Sequence, residues 1–188
     1  AAHTADVTHR VTQKETPPTM QVVDHVIQAV RDIAETALMP RFLRVGSSRK
    51  EDGSLFTEAD LATQEALAAR LPTILPYPVL GEEMTPAEQE ALWAANPDGL
   101  WVVDPIDGTT NFIHGLPYFA ISVALVQNGR SELGVIFNPV SNEMFYARRG
   151  CGAYVNGTRL PLKHAPSSMG DTIASIEVKY LRSGRLSN

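Results

Sequence analysis

The sequence predicts an α+β fold in which two N-terminal helices pack on a mainly antiparallel sheet. Two observations lead to this prediction. Apolar residues recur at helical spacing in the first third of the chain, whereas from Phe119 onward short apolar runs are separated by turn signals that include two Asn-Gly pairs. We expect one principal domain over 19–170, a flexible segment over 1–18, and the start of a second, α/β domain over 171–188.

The first helix is predicted to follow Pro17-Pro18, with Thr19 as its candidate N-cap. Its apolar positions follow the period of an amphipathic helix. They are Val22, Val23, Val26, Ile27, Val30, Ile33, Ala34, Ala37 and Leu38. Pro40 should end or kink this helix, because proline has no N–H to donate to the preceding turn.

Capping motifs indicate a second and a third helix. Thr57 with Asp60 three residues later resembles a capping box, and the helix that follows should end before Pro72. The run Thr-Pro-Ala-Glu at 85–88 has the residues expected at the start of a helix, which should reach about Ala95.

Strands are predicted for most of the remaining chain. A short strand is expected at 77–80, and a strand apolar enough to be buried on both faces at 100–103. The meander that makes the sheet antiparallel should use 119–126, 132–139, 143–149 and 153–155, and a last strand begins at 171. Trp93 and Trp101 are expected to be core residues.

Composition argues against several classes of partner. A net charge of −5 is unfavourable for nucleic acid or an anionic membrane as the main partner, because both attract Lys and Arg. A metal ion could still supply positive charge for a phosphorylated substrate. The lone Cys151 excludes an intrachain disulfide and fits a reducing compartment. No apolar run approaches the ~18 residues of a membrane span, and no signal peptide is apparent, so a cytoplasmic location is expected.

The run WVVDPIDGTTNF at 101–112 carries the strongest chemical signal. One aspartate after a strand often caps a turn, but two close carboxylates repel each other unless a cation or a proton lies between them. Pro105 biases Asp104 toward an extended conformation, and we expect a turn after it to bring Asp107 back alongside.

Mg²⁺ takes oxygen ligands, typically one or two carboxylates together with substrate phosphate, and a main-chain carbonyl such as that of Ile106 can complete its shell. Gly108, Thr109 and Thr110 should open a helix or tight turn whose free N–H groups suit a phosphate. The Thr109 hydroxyl can hold a water molecule. The sequence therefore predicts a metal site for a phosphate ester.

These residues resemble a known family. The run DPIDGTTNF at 104–112, preceded by LGEE at 80–83 and TEADLATQE at 57–65, is similar to the inositol monophosphatase family of Mg²⁺-dependent, lithium-sensitive phosphatases. The likeness covers residues 20–180 approximately. It implies a layered αβαβα sandwich when the fold is complete, two or three Mg²⁺ ions, and hydrolysis of a phosphate monoester by metal-activated water.

The resemblance implies a role for each matching residue. The metal ligands would be Glu82, Asp104, the Ile106 carbonyl and Asp107. Of these, Glu82 would ligate the first metal and help position the attacking water, Asp104 would bridge two metals, and Asp107 would ligate the second.

The implied catalytic residues are Glu82, Thr109 and Asp60, of which Thr109 and Asp60 would hold the water. The implied substrate- and phosphate-binding residues are Glu82, Ile106, Asp107, Gly108 and Thr109, with the amides of Gly108 and Thr109 on the phosphate.

Three neighbouring residues receive lesser roles. Lys50 lies where the family carries a lysine on a loop over the site, although a solvated loop charge explains it equally well. Glu83 is expected to lie outside the metal shell, and His114 is expected to be a turn residue rather than a general base.

The chain also departs from the family pattern. Members have a second α/β half with a Trp-Asp motif, whose aspartate is a further metal ligand, but neither tryptophan of this chain is followed by Asp. We expect the chain to be part of a longer protein. A deliberate or proteolytic fragment and a natural short paralogue are the alternatives.

The expected function is hydrolysis of inositol monophosphate or a similar small polyol phosphate. A 3′(2′),5′-bisphosphate nucleotidase or a histidinol-phosphate phosphatase is the alternative within the superfamily, because KEDGSLFTEAD at 50–60 resembles those branches. A non-catalytic regulatory binding protein is the alternative outside enzymes. Homodimerisation is implied by the resemblance alone.

Overall fold

A computed structural model describes residues 19–44, 46, 48–49, 55–161 and 168. The predicted flexible segment 1–18, the strand expected from 171 and Lys50 lie outside the described residues. Within the described part, four α-helices and nine strands follow one another along the chain.

The helices are α1 (Met20–Ile33), α2 (Glu58–Ile74), α3 (Pro86–Ala95) and α4 (Thr109–Ile113). Both predicted capping boxes are confirmed, at the starts of α2 and α3. The predicted end of α2 before Pro72 is wrong, because the helix continues past that residue to Ile74. Pro72 lies in the last turn of α2, where it removes only the hydrogen bond that its own N–H would donate, and the Leu75 N–H still donates to the Leu71 carbonyl at 3.2 Å.

The end of α1 shows how Pro40 acts. A wide π-helical turn, Ala34–Leu38, follows α1 directly, and a 3₁₀ turn, Met39–Arg41, contains the proline. The chain therefore changes helix type ahead of a residue that cannot donate. Thr19 is the N-cap, but its side chain makes no capping hydrogen bond.

Seven strands form one sheet in chain order from β3 to β9, and β1 pairs with β2 in a separate two-stranded sheet. β3 runs parallel to β4, and every later pair is antiparallel, which confirms the predicted mainly antiparallel sheet. The strands are β1 (Ser48–Arg49), β2 (Leu55–Phe56), β3 (Val79–Gly81), β4 (Leu100–Asp107), β5 (Ala120–Gln127), β6 (Arg130–Asn138), β7 (Glu143–Arg148), β8 (Gly152–Val155) and β9 (Thr158–Arg159).

Two Asn-Gly turns connect β5 to β6 and β8 to β9, as the sequence predicts. Both residues of each pair have positive φ, with 51° and 69° at Asn128-Gly129 and 46° and 85° at Asn156-Gly157. Such turns match the right-handed twist of the strands that they join.

The core lies between the two long helices and one face of the sheet. Side chains of β5 alternate between buried and partly exposed, as expected for a sheet with one covered face. Trp101 is fully buried, as predicted. The prediction for Trp93 is wrong, since its side chain is 50% exposed near the end of α3.

The opposite face of the sheet is open. Small and apolar side chains of β5, β6 and β7 line a broad depression of about 770 Å³ there, including Ala124, Gly134, Ile136 and Ala147. Among the described residues, no helix has both the length and the hydropathy needed to span a bilayer.

Candidate metal and phosphate site

Four carboxylates come to one edge of the sheet from three elements: Asp60 from the first turn of α2, Glu82 from the turn after β3, and Asp104 and Asp107 from the end of β4. The parallel pairing of β3 with β4 explains how Glu82 arrives. Gly81 lies opposite Val103, and the Glu82 N–H donates to the Val103 carbonyl at 3.1 Å. The carboxyl ends of the two parallel strands therefore meet at the same edge.

The relation between Asp104 and Asp107 differs from the one expected. The strand does not turn at Pro105 but continues to Asp107, with an irregularity in its pairing to β5. Asp104 pairs with Ser122 and Asp107 with Ala120, so β4 uses one residue more than β5 between these two positions.

This extra residue is a β-bulge, and it places the two carboxylates. Residues three apart on a regular strand point to opposite faces, and one extra residue returns the second to the face of the first. The Ile106 N–H donates to Asp104 Oδ1 at 3.0 Å inside the bulge, and the side chain of Ile106 is buried.

The electrostatics of Asp104 show that negative charge is concentrated here. Burial, the charge of Glu82, a hydrogen bond with Glu82 and the charge of Asp107 together raise the pKa of Asp104 to about 8. The protein alone therefore disfavours the charged form of Asp104. A divalent cation would favour the charged form that the protein alone disfavours.

Asp60 is fully buried and bound by the residue that caps its own helix. Its Oδ2 accepts from both the N–H and the hydroxyl of Thr57, each at 2.7 Å. Burial raises the pKa of Asp60, the Thr57 hydrogen bonds oppose that rise, and the charge of Glu82 adds to it.

Thr109 joins Asp60 to the end of β4. Its hydroxyl lies 3.4 Å from Asp60 Oδ1 and 3.0 Å from the Ile106 carbonyl oxygen. A hydroxyl carries one proton, so it donates to one of these acceptors at a time and keeps lone pairs for a further donor such as water.

Gly108 begins the short helix α4 in the left-handed region, with φ of 93°. A Cβ at this position would lie 3.1 Å from the Tyr118 carbonyl oxygen. Both the backbone conformation and the close approach require glycine here. The predicted helix opening at 108–110 is confirmed.

The donor set fits Mg²⁺. Among the described residues, no group of three or more His, Cys, Asp and Glu side chains is arranged so that it could hold a metal ion. Mg²⁺ commonly uses one or two carboxylates and completes its shell with waters and substrate phosphate. Glu82, Asp104, Asp107 and the Ile106 carbonyl offer oxygen atoms of the kind that Mg²⁺ takes as ligands, and a cation would offset the negative charge that raises the pKa of Asp104.

Other residues near the site have structural partners. His114 is exposed, and its Nδ1 lies 2.7 Å from the Thr110 carbonyl at the end of α4, which agrees with a turn residue. Glu83 donates its N–H to Gln64. Sequence reasoning missed Gln64, although its position four residues after Asp60 puts both on one face of a helix.

Replacing Thr57 by valine is expected to lower the free energy of unfolding by about 1–3 kcal/mol, because Asp60 would keep its burial and lose a hydrogen-bond donor. Thermal or urea unfolding measures the loss.

Thr85→Val is the matched control, since Thr85 caps α3 through the same kind of box at an exposed position. Thr85→Val should lower the free energy of unfolding through lost capping without altering metal affinity. Thr57→Val should lower the free energy of unfolding and also alter metal affinity. Equal metal affinity in the two variants would contradict this account of Asp60.

Fold and site together define an α+β protein with a carboxylate cluster beside a tight helix start. Comparison with known families assigns it more closely. The inositol monophosphatase family matches residues 16–185, and the chain belongs to that family.

Curated relatives agree with this assignment. The chain is 41% identical over 127 residues to Nus factor SuhB of Pseudomonas aeruginosa, covering 67% of this chain and 46% of that protein. It is 38% identical over 143 residues to the fructose-1,6-bisphosphatase/inositol-1-monophosphatase of Thermotoga maritima, covering 75% and 53%. With bovine inositol monophosphatase 1 the identity is 33% over 138 residues, covering 73% and 48%. The chain thus spans about half the length of the curated relatives that it matches.

Solved structures show the same fold. An IMPase of Thermotoga maritima superimposes with a TM-score of 0.67 at 36% identity, covering 77% of this chain and 54% of that one. Staphylococcal inositol monophosphatase-1, in an inhibitory complex soaked in LiCl, gives a TM-score of 0.66 at 25% identity, covering 77% and 54%. The predicted fold class is therefore confirmed.

Proposed function

We propose that this chain carries the metal centre of a Mg²⁺-dependent phosphomonoesterase acting on inositol monophosphate or a similar small polyol phosphate. One observation carries the proposal: the partly buried Asp104 lies beside Glu82 and Asp107, whose charges disfavour its ionised form, so that a cation would stabilise the three carboxylates in their charged forms. Membership of the inositol monophosphatase family supports the reaction class.

Glu82, Asp104, Asp107 and the Ile106 carbonyl are the groups that would hold Mg²⁺. The bulge in β4 allows Asp104 and Asp107 to face the same region, so that both carboxylates would hold Mg²⁺. When bound, Mg²⁺ supplies Lewis acidity, which lowers the pKa of water toward neutrality and offsets the charge of the phosphoryl oxygens.

Thr109 and Asp60 would orient the attacking water. The Thr109 hydroxyl directs its proton to Asp60 or to the Ile106 carbonyl, and it can therefore accept a hydrogen bond from water. Water held in this way keeps a lone pair free to attack phosphorus. The N–H groups of Gly108 and Thr109, at the start of α4, would hold the phosphate.

A substrate panel tests the proposal. The protein in its full natural length is assayed for phosphate release with Mg²⁺ and with a chelator, on inositol 1-phosphate, fructose 1,6-bisphosphate, histidinol phosphate and adenosine 3′,5′-bisphosphate. Fructose 1,6-bisphosphate belongs in the panel because a relative carries that name. We expect the highest kcat/KM on inositol 1-phosphate and loss of activity with the chelator. Activity on none of the four, or activity insensitive to the chelator, would overturn it.

A regulatory binding protein is the second candidate. Several relatives carry the name Nus factor SuhB, including those of Pseudomonas aeruginosa and Escherichia coli, at 41% and 39% identity. This function predicts capture of a protein partner that survives the double substitution of Asp104 and Asp107 by asparagine. The phosphatase proposal predicts that the same variant loses hydrolysis.

The proposal extends to the rest of the molecule. The open sheet face would be covered by the next layer of the αβαβα sandwich, contributed by the domain that we expect to begin at 171. We also propose a homodimer and a cytoplasmic location, which light scattering and cell fractionation test.

A further inference from the structure

The turn that carries Glu82 is held by glutamine side chains from two different helices. Gln64 reaches it from α2 and Gln89 from α3. Neither residue belongs to the carboxylate cluster, and both contact the backbone of residues 81–83. Their hydrogen bonds add to the bond between Glu82 and β4 that already fixes one side of the turn.

Gln64 acts as an acceptor. Its Oε1 receives the Glu83 N–H at 2.9 Å. Its side chain passes directly against Gly81, where a Cβ would lie 2.1 Å from that same oxygen. A side chain at position 81 would therefore displace the end of Gln64 and break its hydrogen bond with the Glu83 N–H.

Gln89 acts in the opposite sense, as a donor. Its Nε2 lies 2.9 Å from the Gly81 carbonyl oxygen and 3.3 Å from the Glu82 carbonyl oxygen. Backbone groups have fixed polarity, so they determine which end of each amide faces the turn. Gln64 must present oxygen, and Gln89 must present nitrogen.

We propose that Gln64 and Gln89 are positioning residues that aim the Glu82 carboxylate at the metal. One binds the N–H after Glu82, and the other binds the carbonyls of Gly81 and Glu82, so together they restrain rotation of the peptide units on both sides of Glu82. Gln64 also lies one helical turn from Asp60 on α2, which couples the direction of Glu82 to the element that holds Asp60. The inference rests on the metal-binding role proposed for Glu82.

Neutral amides suit this position. A charged side chain would add to the field of a cluster that already raises the pKa of Asp104. Groups that support metal ligands commonly change metal affinity by about 10–100-fold when they are removed, because a ligand that can rotate must be ordered on binding.

Opposite responses to the same chemical change test the proposal. Mn²⁺ affinity is measured by electron paramagnetic resonance on the full-length protein and on Gln64→Leu, Gln89→Leu, Gln64→Glu and Gln89→Glu. Both leucine variants should bind Mn²⁺ about 10-fold more weakly. Gln64→Glu keeps an acceptor for the Glu83 N–H, and its added negative charge favours a cation, so it should bind Mn²⁺ no more weakly than the wild type. Gln89→Glu presents a carboxylate to two carbonyl oxygens and should weaken binding at least as much as Gln89→Leu.

Controls separate the possible causes. Gln28→Leu changes an exposed glutamine on α1 that bonds only within its own helix to Asp32, and it should leave Mn²⁺ affinity unchanged. Circular dichroism and thermal midpoints establish that each variant is folded. If a leucine variant fails to fold, the difference between Gln64→Glu and Gln89→Glu decides the question.

Each outcome has a distinct meaning. Wild-type affinity in folded leucine variants would overturn the positioning role, and so would tighter binding in both glutamate variants, since added charge alone would then explain the result. Glu82→Gln is measured alongside. If that variant also binds normally, the proposed metal role of Glu82 fails; if it binds weakly while the leucine variants bind normally, only the present inference fails.

Discussion

Replacing Asp104 by asparagine is expected to abolish Mg²⁺-dependent phosphate release, with kcat/KM falling by more than about 100-fold. Removing a residue that only supports a metal ligand commonly costs about 10–100-fold, and removing the ligand itself should cost more. The same change removes the carboxylate whose burial beside Glu82 and Asp107 is unfavourable without a cation. Without metal, the unfolding temperature of the variant should therefore be no lower than that of the metal-free wild type. Activity with saturating Mg²⁺ and a thermal melt in chelator measure the two effects.

Asp98→Asn is the matched control for this change. Asp98 is exposed in the turn before β4, so it lies at the opposite end of that strand from the carboxylate cluster. It should leave both activity and Mn²⁺ affinity unchanged. Near wild-type turnover in Asp104→Asn would contradict the assignment of Asp104, whereas lost activity together with lost folding would point to a structural role instead.

The residue types of the site could be predicted from the sequence, but the geometry that joins them could not. Two aspartates flanking Pro-Ile indicate a cation, because their repulsion follows from spacing alone. How they come to face one another depends on the partner strand. The bulge is visible only when Asp104 and Asp107 are paired with Ser122 and Ala120, and a single sequence does not state register.

Burial was the second property that the sequence concealed. Asp60 was expected from its spacing to cap a helix, and it does so, but its complete burial and its link to Thr109 depend on how α2 packs against β4. The two glutamines were missed for the same reason. Their partners are backbone atoms of a turn remote from them in sequence, and no residue pattern marks such a contact.

Local rules succeeded where local physics decides the structure. The Asn-Gly turns and the two capping boxes involve residues within a few positions of each other, and all formed as predicted. The errors concern Pro72, Trp93 and the length of β4, where tertiary context outweighs propensity. Pairing with β5 extends β4 through Pro105 to Asp107, where the sequence predicted a turn.

Phe112→Ala is expected to lower the free energy of unfolding by about 3–5 kcal/mol, the usual cost of removing a buried aromatic ring. Phe112 is 1% exposed, and its ring centroid lies 5.3 Å from that of Phe42 and 5.0 Å from that of Phe119, the latter edge-to-face. Urea unfolding measures the loss. Phe112→Leu refills most of the cavity and should cost much less.

The functional consequence of this change separates it from an ordinary core substitution. α4 has only five residues and cannot be stable alone, so the packing of Phe112 should contribute, together with the hydrogen bonds of Thr109, to fixing Gly108 and Thr109 beside the carboxylates. Leu133→Ala supplies the comparison, since Leu133 is equally buried on β6, two strands from β4. Both variants should lose stability, but only Phe112→Ala should lower kcat/KM when each is assayed well below its own unfolding midpoint. Equal activity per folded molecule in the two variants would show that α4 keeps its position without the aromatic anchor.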